Sequence, residues 1–260
     1  MRTILIVLVL VLFFIVTLPF YLLLLLLKRF CPLCAARIAQ GFIRFGFGLV
    51  LLCTGAKKTV LGRENVPAGQ PVLYVANHRS LMDTPLAYTT VPTVTSFVSK
   101  IEMKRVPFLS WWMRLMNCLF LDREDLRAGL KMVLDGIELI KSGYSIYISP
   151  EGTRTHEEDP LPFKEGSVKM AQKTGCPIIP VAISGTDDVL ENTWPWVHKA
   201  SIVIEYGKPI DPNALEGDDK KFMAAYCRNV IIEMRKGHKV YVQGNPSERK
   251  KRTESSSTNA

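Results

Sequence analysis

Pro71-Val72-Leu73-Tyr74-Val75-Ala76-Asn77-His78-Arg79-Ser80-Leu81-Met82-Asp83-Thr84-Pro85 compresses a buried strand, a turn and a helix start into one short stretch. The apolar, β-rich run 72–76 is the strand. Asp83-Thr84-Pro85 joins an N-capping carboxylate to a proline suited to a first helical turn. His78 and Asp83 lie five residues apart. On one continuous α-helix they would point about 140° away from each other, at 3.6 residues per turn, so they meet only if the chain turns between them. Such a turn would let the carboxylate fix the imidazole tautomer while the ring takes a proton from an alcohol near neutral pH. Read alone, the same residues also describe a strand-end histidine and an N-cap aspartate with no chemistry.

Beyond this stretch, short β-branched runs at 72–76, 94–99, 118–121, 145–149, 178–184 and 201–206 alternate with helical patterns. A helix over 125–141 carries Leu126, Leu130, Val133, Ile137 and Ile140 at three-to-four spacing and closes near Gly143. A last helix over 218–236 places Phe222, Tyr226, Val230 and Met234 on one face and ends at Gly237. This alternation predicts an α/β domain with a mostly parallel sheet flanked by helices, and sites in such sheets gather beyond the carboxyl ends of strands. His78 follows one such end. Ser149-Pro150-Glu151-Gly152-Thr153-Arg154 follows another. In that turn Gly152 permits close backbone approach, Arg154 offers a planar fork for a phosphate, and Glu151 can accept from a polyol or hold the arginine. Arg123, just after the run 118–121, is a further phosphate ligand candidate, whereas Lys104 and Arg105 read as solvated charge.

Residues 4–27 carry no charge and would form a helix roughly 36 Å long, enough to cross a hydrocarbon core of about 30 Å. Lys28-Arg29-Phe30 stands where a cleavable signal would have small residues, so 1–29 is expected to be a retained transmembrane anchor. Arg2 precedes it, while Lys28, Arg29, Arg37 and Arg44 follow, which places the body in the cytoplasm by the positive-inside tendency. Segment 30–60 is juxtamembrane. Its apolar part, 45–56, is too short to span and reads either as an interfacial helix or as a core helix. The folded α/β domain would then occupy 61–243, and the polar, Ser-rich tail 244–260 reads as disordered.

The formal net charge of +9 suits anionic headgroups and phosphate esters. No zinc-finger spacing or RNA-binding signature accompanies it, so nucleic acid is not an expected partner. Cys31-Pro32-Leu33-Cys34 has CxxC spacing without a second pair to complete a zinc site. No metal is therefore expected, and the six cysteines are read as free thiols. His156, in an acidic loop, lacks the HExxH spacing, and His198 and His238 read as surface or core residues. No GxSxG nucleophile elbow is present.

Together these motifs resemble the glycerolipid acyltransferases typified by 1-acylglycerol-3-phosphate acyltransferase. The family's HX4D motif is matched by Asn77, His78 and Asp83. Its second block is matched by Lys100, Glu102, Pro107 and Arg123, its PEGTR block by Pro150 to Arg154 with Phe163-Lys164-Glu165-Gly166 following, and its apolar strand proline by Pro180. The resemblance covers roughly residues 57–212. It implies that His78 is the general base and Asp83 its orienting partner, with Arg123, Glu151, Gly152, Thr153 and Arg154 binding a glycerol phosphate acceptor. Asn77, Lys100 and Pro180 are further binding candidates. It also implies an acyl thioester donor, acyl-CoA or acyl carrier protein, no cofactor, and lysophosphatidic acid as acceptor. Other lysophospholipids or glycerol phosphate as acceptor, lipid hydrolysis, and a non-catalytic lipid-binding role remain as alternatives.

Overall fold

The computed structural model describes residues 1–155 and 157–248. His156 and the tail residues 249–260 lie outside the described residues. In chain order the elements are α1 (Arg2–Phe30), α2 (Pro32–Thr54), β1 (Lys57–Leu61), β2 (Leu73–Ala76), α3 (Asp83–Thr90), β3 (Thr95–Lys100), α4 (Leu109–Leu115), β4 (Leu119–Leu121), α5 (Leu126–Lys141), β5 (Ser145–Ile148), α6 (Lys169–Thr174), β6 (Ile178–Ser184), β7 (Ser201–Tyr206), α7 (Gly217–Lys221) and α8 (Met223–Val242).

The seven strands form one sheet in the order β1-β7-β6-β2-β5-β3-β4, parallel throughout except where β7 runs antiparallel to β6. β2 is central, and its alternation divides the core. Tyr74 and Ala76 face the layer of α1–α4, while Leu73 and Val75 face α5, α6 and α8. On the first face Tyr88, Phe97 and Tyr147 stack, with centroids 3.9 and 4.6 Å apart. Pro180 sits in β6 where pairing with β7 begins. Its carbonyl accepts from Gly207 N–H, and with no N–H of its own it cannot return that bond.

Several sequence expectations shift. β1 was not anticipated: it is a half-exposed edge strand that starts with two lysines and has no alternating pattern, and it joins the sheet beside β7. Residues 45–56 belong mostly to a 23-residue helix, α2, which buries Ile43, Gly46, Val50 and Leu51 and leaves Phe45 and Leu52 exposed. Both α1 and α2 are long and apolar enough to cross a membrane. Cys31 and Cys34, expected as free thiols, are joined by a disulfide in the turn between them. The last helix breaks at Phe222, because Glu165 accepts from the N–H groups of Ala224 and Ala225 and starts α8 anew. Its buried face is Met223, Cys227 and Ile231, one residue off the expected register, and it runs past Gly237. The polar tail expected from 244 begins docked: Asn245 is buried and exchanges two hydrogen bonds with Ser201.

α1 is held by the body at both ends. Near its start the Thr3 hydroxyl donates to Pro195 O and accepts from Val197 N–H. Near its end Lys28 Nζ donates to Arg114 O, Leu115 O and Asn117 Oδ1, satisfying carbonyls that end α4. Between them Phe13 packs on Trp112 and against Gly46, where a Cβ would come within 2.7 Å of the Phe13 ring.

Candidate active site

β2 ends at Ala76, and the next residue finishes the strand with its side chain. Asn77 Nδ2 donates to Ile183 O at 3.0 Å and its Oδ1 accepts from Ile183 N–H at 2.8 Å. The amide thus extends pairing to β6, and its buried side chain is held by the backbone of that strand. The chain then turns, as the spacing of His78 and Asp83 required. Asp83 Oδ2 lies 2.8 Å from His78 Nδ1 and also accepts from the backbone N–H groups of Arg79 and Ser80. Its Oδ1 accepts from the Thr186 hydroxyl at 2.6 Å. These donors saturate a carboxylate that is 4% exposed. A carboxylate can accept from Nδ1 only when that nitrogen carries the proton, which leaves the Nε2 lone pair free.

The second turn grips the first. Glu151 Oε1 accepts from His78 N–H at 2.6 Å, and Oε2 accepts from Leu161 N–H at 2.8 Å. Thr155 N–H donates to His78 O. Burial pushes the Glu151 carboxyl up, and the two amide donors pull against that. Both of its oxygens are therefore committed to the backbone, and it aligns the loop that carries His78. Gly152 has φ +74°, the left-handed conformation this turn needs. Arg79 is buried and forks onto Asp187 at 2.8 Å, tying the His78 turn to the loop after β6.

A cavity of about 1150 Å³ opens over the strand ends. His78, Asp83, Lys100, Arg123, Gly152, Thr153 and Arg154 all line it, whereas Asn77, Glu151 and Pro180 do not. Its walls are apolar: Leu10, Phe13 and Phe14 of α1, Phe47 of α2, Trp112 of α4, and Leu130 and Val133 of α5. That explains why the stripe on α5 splits, Ile140 packing in the core while Leu126 and Leu130 stay exposed at the cavity. Arg123 is exposed at the cavity, and partial desolvation lowers its guanidinium from its usual value, with Glu102 opposing. Arg154 Nη1 donates to Glu191 Oε1 at 2.8 Å, and the same oxygen accepts from Leu81 N–H. Lys100 is paired with Glu102 at 2.6 Å. Lys164, Lys169 and Lys173 add cations on the α6 side.

Sequence reasoning missed Thr186, Asp187 and Glu191. All three lie on the loop after β6, more than a hundred residues from the turn they support, and only a short polar run after a strand hinted at them. The arrangement pairs a proton acceptor with fixed tautomer, two arginines and a long apolar trough.

Known proteins share this plan. The Acyltransferase family model matches residues 57–184. A 1-acyl-sn-glycerol-3-phosphate acyltransferase of Saccharomyces cerevisiae is 30% identical over 190 residues, which cover 72% of this chain and 62% of that protein. The chain therefore spans less than two thirds of the yeast relative's length. The enzyme of that name from Borreliella burgdorferi is 29% identical over 197 residues, 76% of this chain and 79% of its own. The crystal structure of the 1-acyl-sn-glycerophosphate (LPA) acyltransferase PlsC from Thermotoga maritima superposes with a TM-score of 0.70 at 28% identity, covering 91% of this chain and 98% of that one.

Proposed function

We propose that the chain is an acyltransferase that moves an acyl group from a thioester, acyl-CoA or acyl carrier protein, to the free hydroxyl of 1-acylglycerol 3-phosphate, giving phosphatidic acid, a reading supported by its likeness to enzymes of that name. The observation that carries this reading is the His78–Asp83 pair at the edge of an apolar cavity that also holds Arg123 and Arg154. His78 Nε2 takes the hydroxyl proton as the oxygen attacks the thioester carbonyl. The tetrahedral intermediate collapses, the C–S bond breaks, and the imidazolium returns its proton to the leaving thiolate. Asp83 steadies the imidazolium. Arg154 and Arg123 hold the acceptor phosphate, with Lys100 beside them, and Gly152 and Thr153 shape the turn. Acyl chains lie along the trough. The test is to give the purified protein labelled acyl-CoA and a panel of acceptors. Phosphatidic acid formed from lysophosphatidic acid supports the reading, and product from another acceptor alone, or free fatty acid alone, overturns it.

Arg154→Ala should raise the apparent KM for the phosphorylated acceptor well above any change in donor KM, because a guanidinium binds phosphate through two parallel hydrogen bonds. An equal rise for both substrates in steady-state kinetics would move Arg154 out of the acceptor site. Glu151→Gln should behave differently. An amide has only one acceptor oxygen for two backbone donors, so one buried N–H loses its partner, at about 1–3 kcal/mol. Turnover should fall while acceptor KM stays near wild type, with melting temperature lowered. A selective KM effect would instead put Glu151 in contact with substrate.

The two apolar N-terminal helices suit membrane association. With both ends of α1 bonded to one body, a helix about 44 Å long at 1.5 Å per residue cannot carry one end across the bilayer. We infer that the helix lies instead along the body within one leaflet, where the basic residues after it suit the anionic headgroups of a cytoplasmic leaflet.

A further inference from the structure

Two tryptophans stand out from the surface on the loop joining β6 to β7: Trp194 is 67% exposed and Trp196 is 56% exposed. The loop is not slack. Val189, Leu190 and Val197 are buried beneath it, His198 N–H donates to Val189 O at 2.8 Å, and Asn192 N–H donates to Asp187 O at 2.9 Å. The Thr193 hydroxyl closes the turn onto Trp196 O at 2.6 Å. A braced loop that holds two indoles in water leaves a large apolar area without a partner.

Its neighbour is the start of α1, through the Thr3 hydrogen bonds to Pro195 and Val197. Ile4, Leu5, Val7 and Leu8 are exposed on the same first turns, so the indoles continue the apolar face of α1 at that end. At its other side the loop reaches the catalytic turn. Glu191 accepts from Leu81 N–H and from Arg154, and Asp187 holds Arg79.

We propose that loop 191–197 is a second bilayer contact, with the indoles of Trp194 and Trp196 seated at headgroup level beside the first turn of α1. Through Glu191 it sets the depth at which the His78 turn and Arg154 meet a lipid acceptor. The proposal rests on the membrane reading given above. A lipid surface fits better than a protein partner, because the patch is continuous with the unpartnered apolar face of α1. An indole also couples an apolar ring to an N–H that bonds headgroup oxygens.

The test uses the full chain reconstituted in vesicles of phospholipid brominated at shallow or deep acyl positions. Trp111→Phe leaves the loop pair as reporters, and Trp194→Phe/Trp196→Phe leaves Trp111, which stacks on Tyr21 of α1. Buried Trp112 is common to both variants. The loop pair should lose emission about twofold or more with the shallow label and less with the deep one, as expected for residues at the membrane interface. Quenching of Trp111 without quenching of the loop pair overturns the loop contact and leaves the membrane reading standing. No quenching of either overturns both. Trp194→Ala/Trp196→Ala should lower activity on vesicle-borne acceptor severalfold and leave activity on a monomeric short-chain acceptor unchanged. Equal activities on vesicles would overturn the depth-setting role.

Discussion

His78→Ala is expected to lower acyl transfer by about 10²–10⁴-fold, the usual contribution of a positioned general base. The protein should stay folded. The bonds that His78 makes to Glu151 and Thr155 run through its backbone N–H and carbonyl, which alanine keeps. Only the imidazole bond to Asp83 disappears, and that carboxylate still receives the N–H groups of Arg79 and Ser80 and the Thr186 hydroxyl. Single-turnover assay beside circular dichroism separates lost chemistry from lost structure. Near-wild-type turnover in a folded variant would remove the imidazole from the mechanism.

Asp83→Asn should be as damaging by a different route. The native carboxylate faces donors on every side, and an amide can place its oxygen toward only some of them. Its NH₂ either faces the Thr186 hydroxyl, which must turn round to accept, or confronts the donors of His78 and two backbone amides. The amide can also stabilise the wrong imidazole tautomer, and loss of a correctly set tautomer cost about 10⁴-fold in the serine protease case. A drop of that order in turnover is expected, with a melting temperature lowered by a buried mismatch of roughly 1–3 kcal/mol. Thr186→Val should reproduce a fraction of both effects. A folded Asp83→Asn enzyme with normal kcat would sink the assignment.

The sequence made the local part of this site readable and hid the rest. His78 and Asp83 are neighbours in the chain, and helix geometry alone demands a turn between them. The unbroken apolar runs of β2 and β6, buried on both faces, likewise expose the sheet. Glu151 was legible as a residue of interest but its partners were not, since nothing near it in sequence says that the N–H groups of His78 and Leu161 converge on its oxygens. The bonds of Asn77 were out of reach for the same reason: its partner, Ile183, lies 106 residues away. β1 escaped notice because an edge strand shows little periodicity. The register of α8 slipped because a distant carboxylate, Glu165, decides where that helix begins.

The α1 wall of the cavity has a kinetic consequence. Leu10, Phe13 and Phe14 line the trough from the helix proposed to lie in the leaflet, so on that reading the acceptor arrives sideways from the lipid beside it. The concentration that governs rate is then the mole fraction of lysolipid in the membrane. Adding inert phospholipid at fixed total acceptor should slow the reaction by surface dilution, and adding water should not.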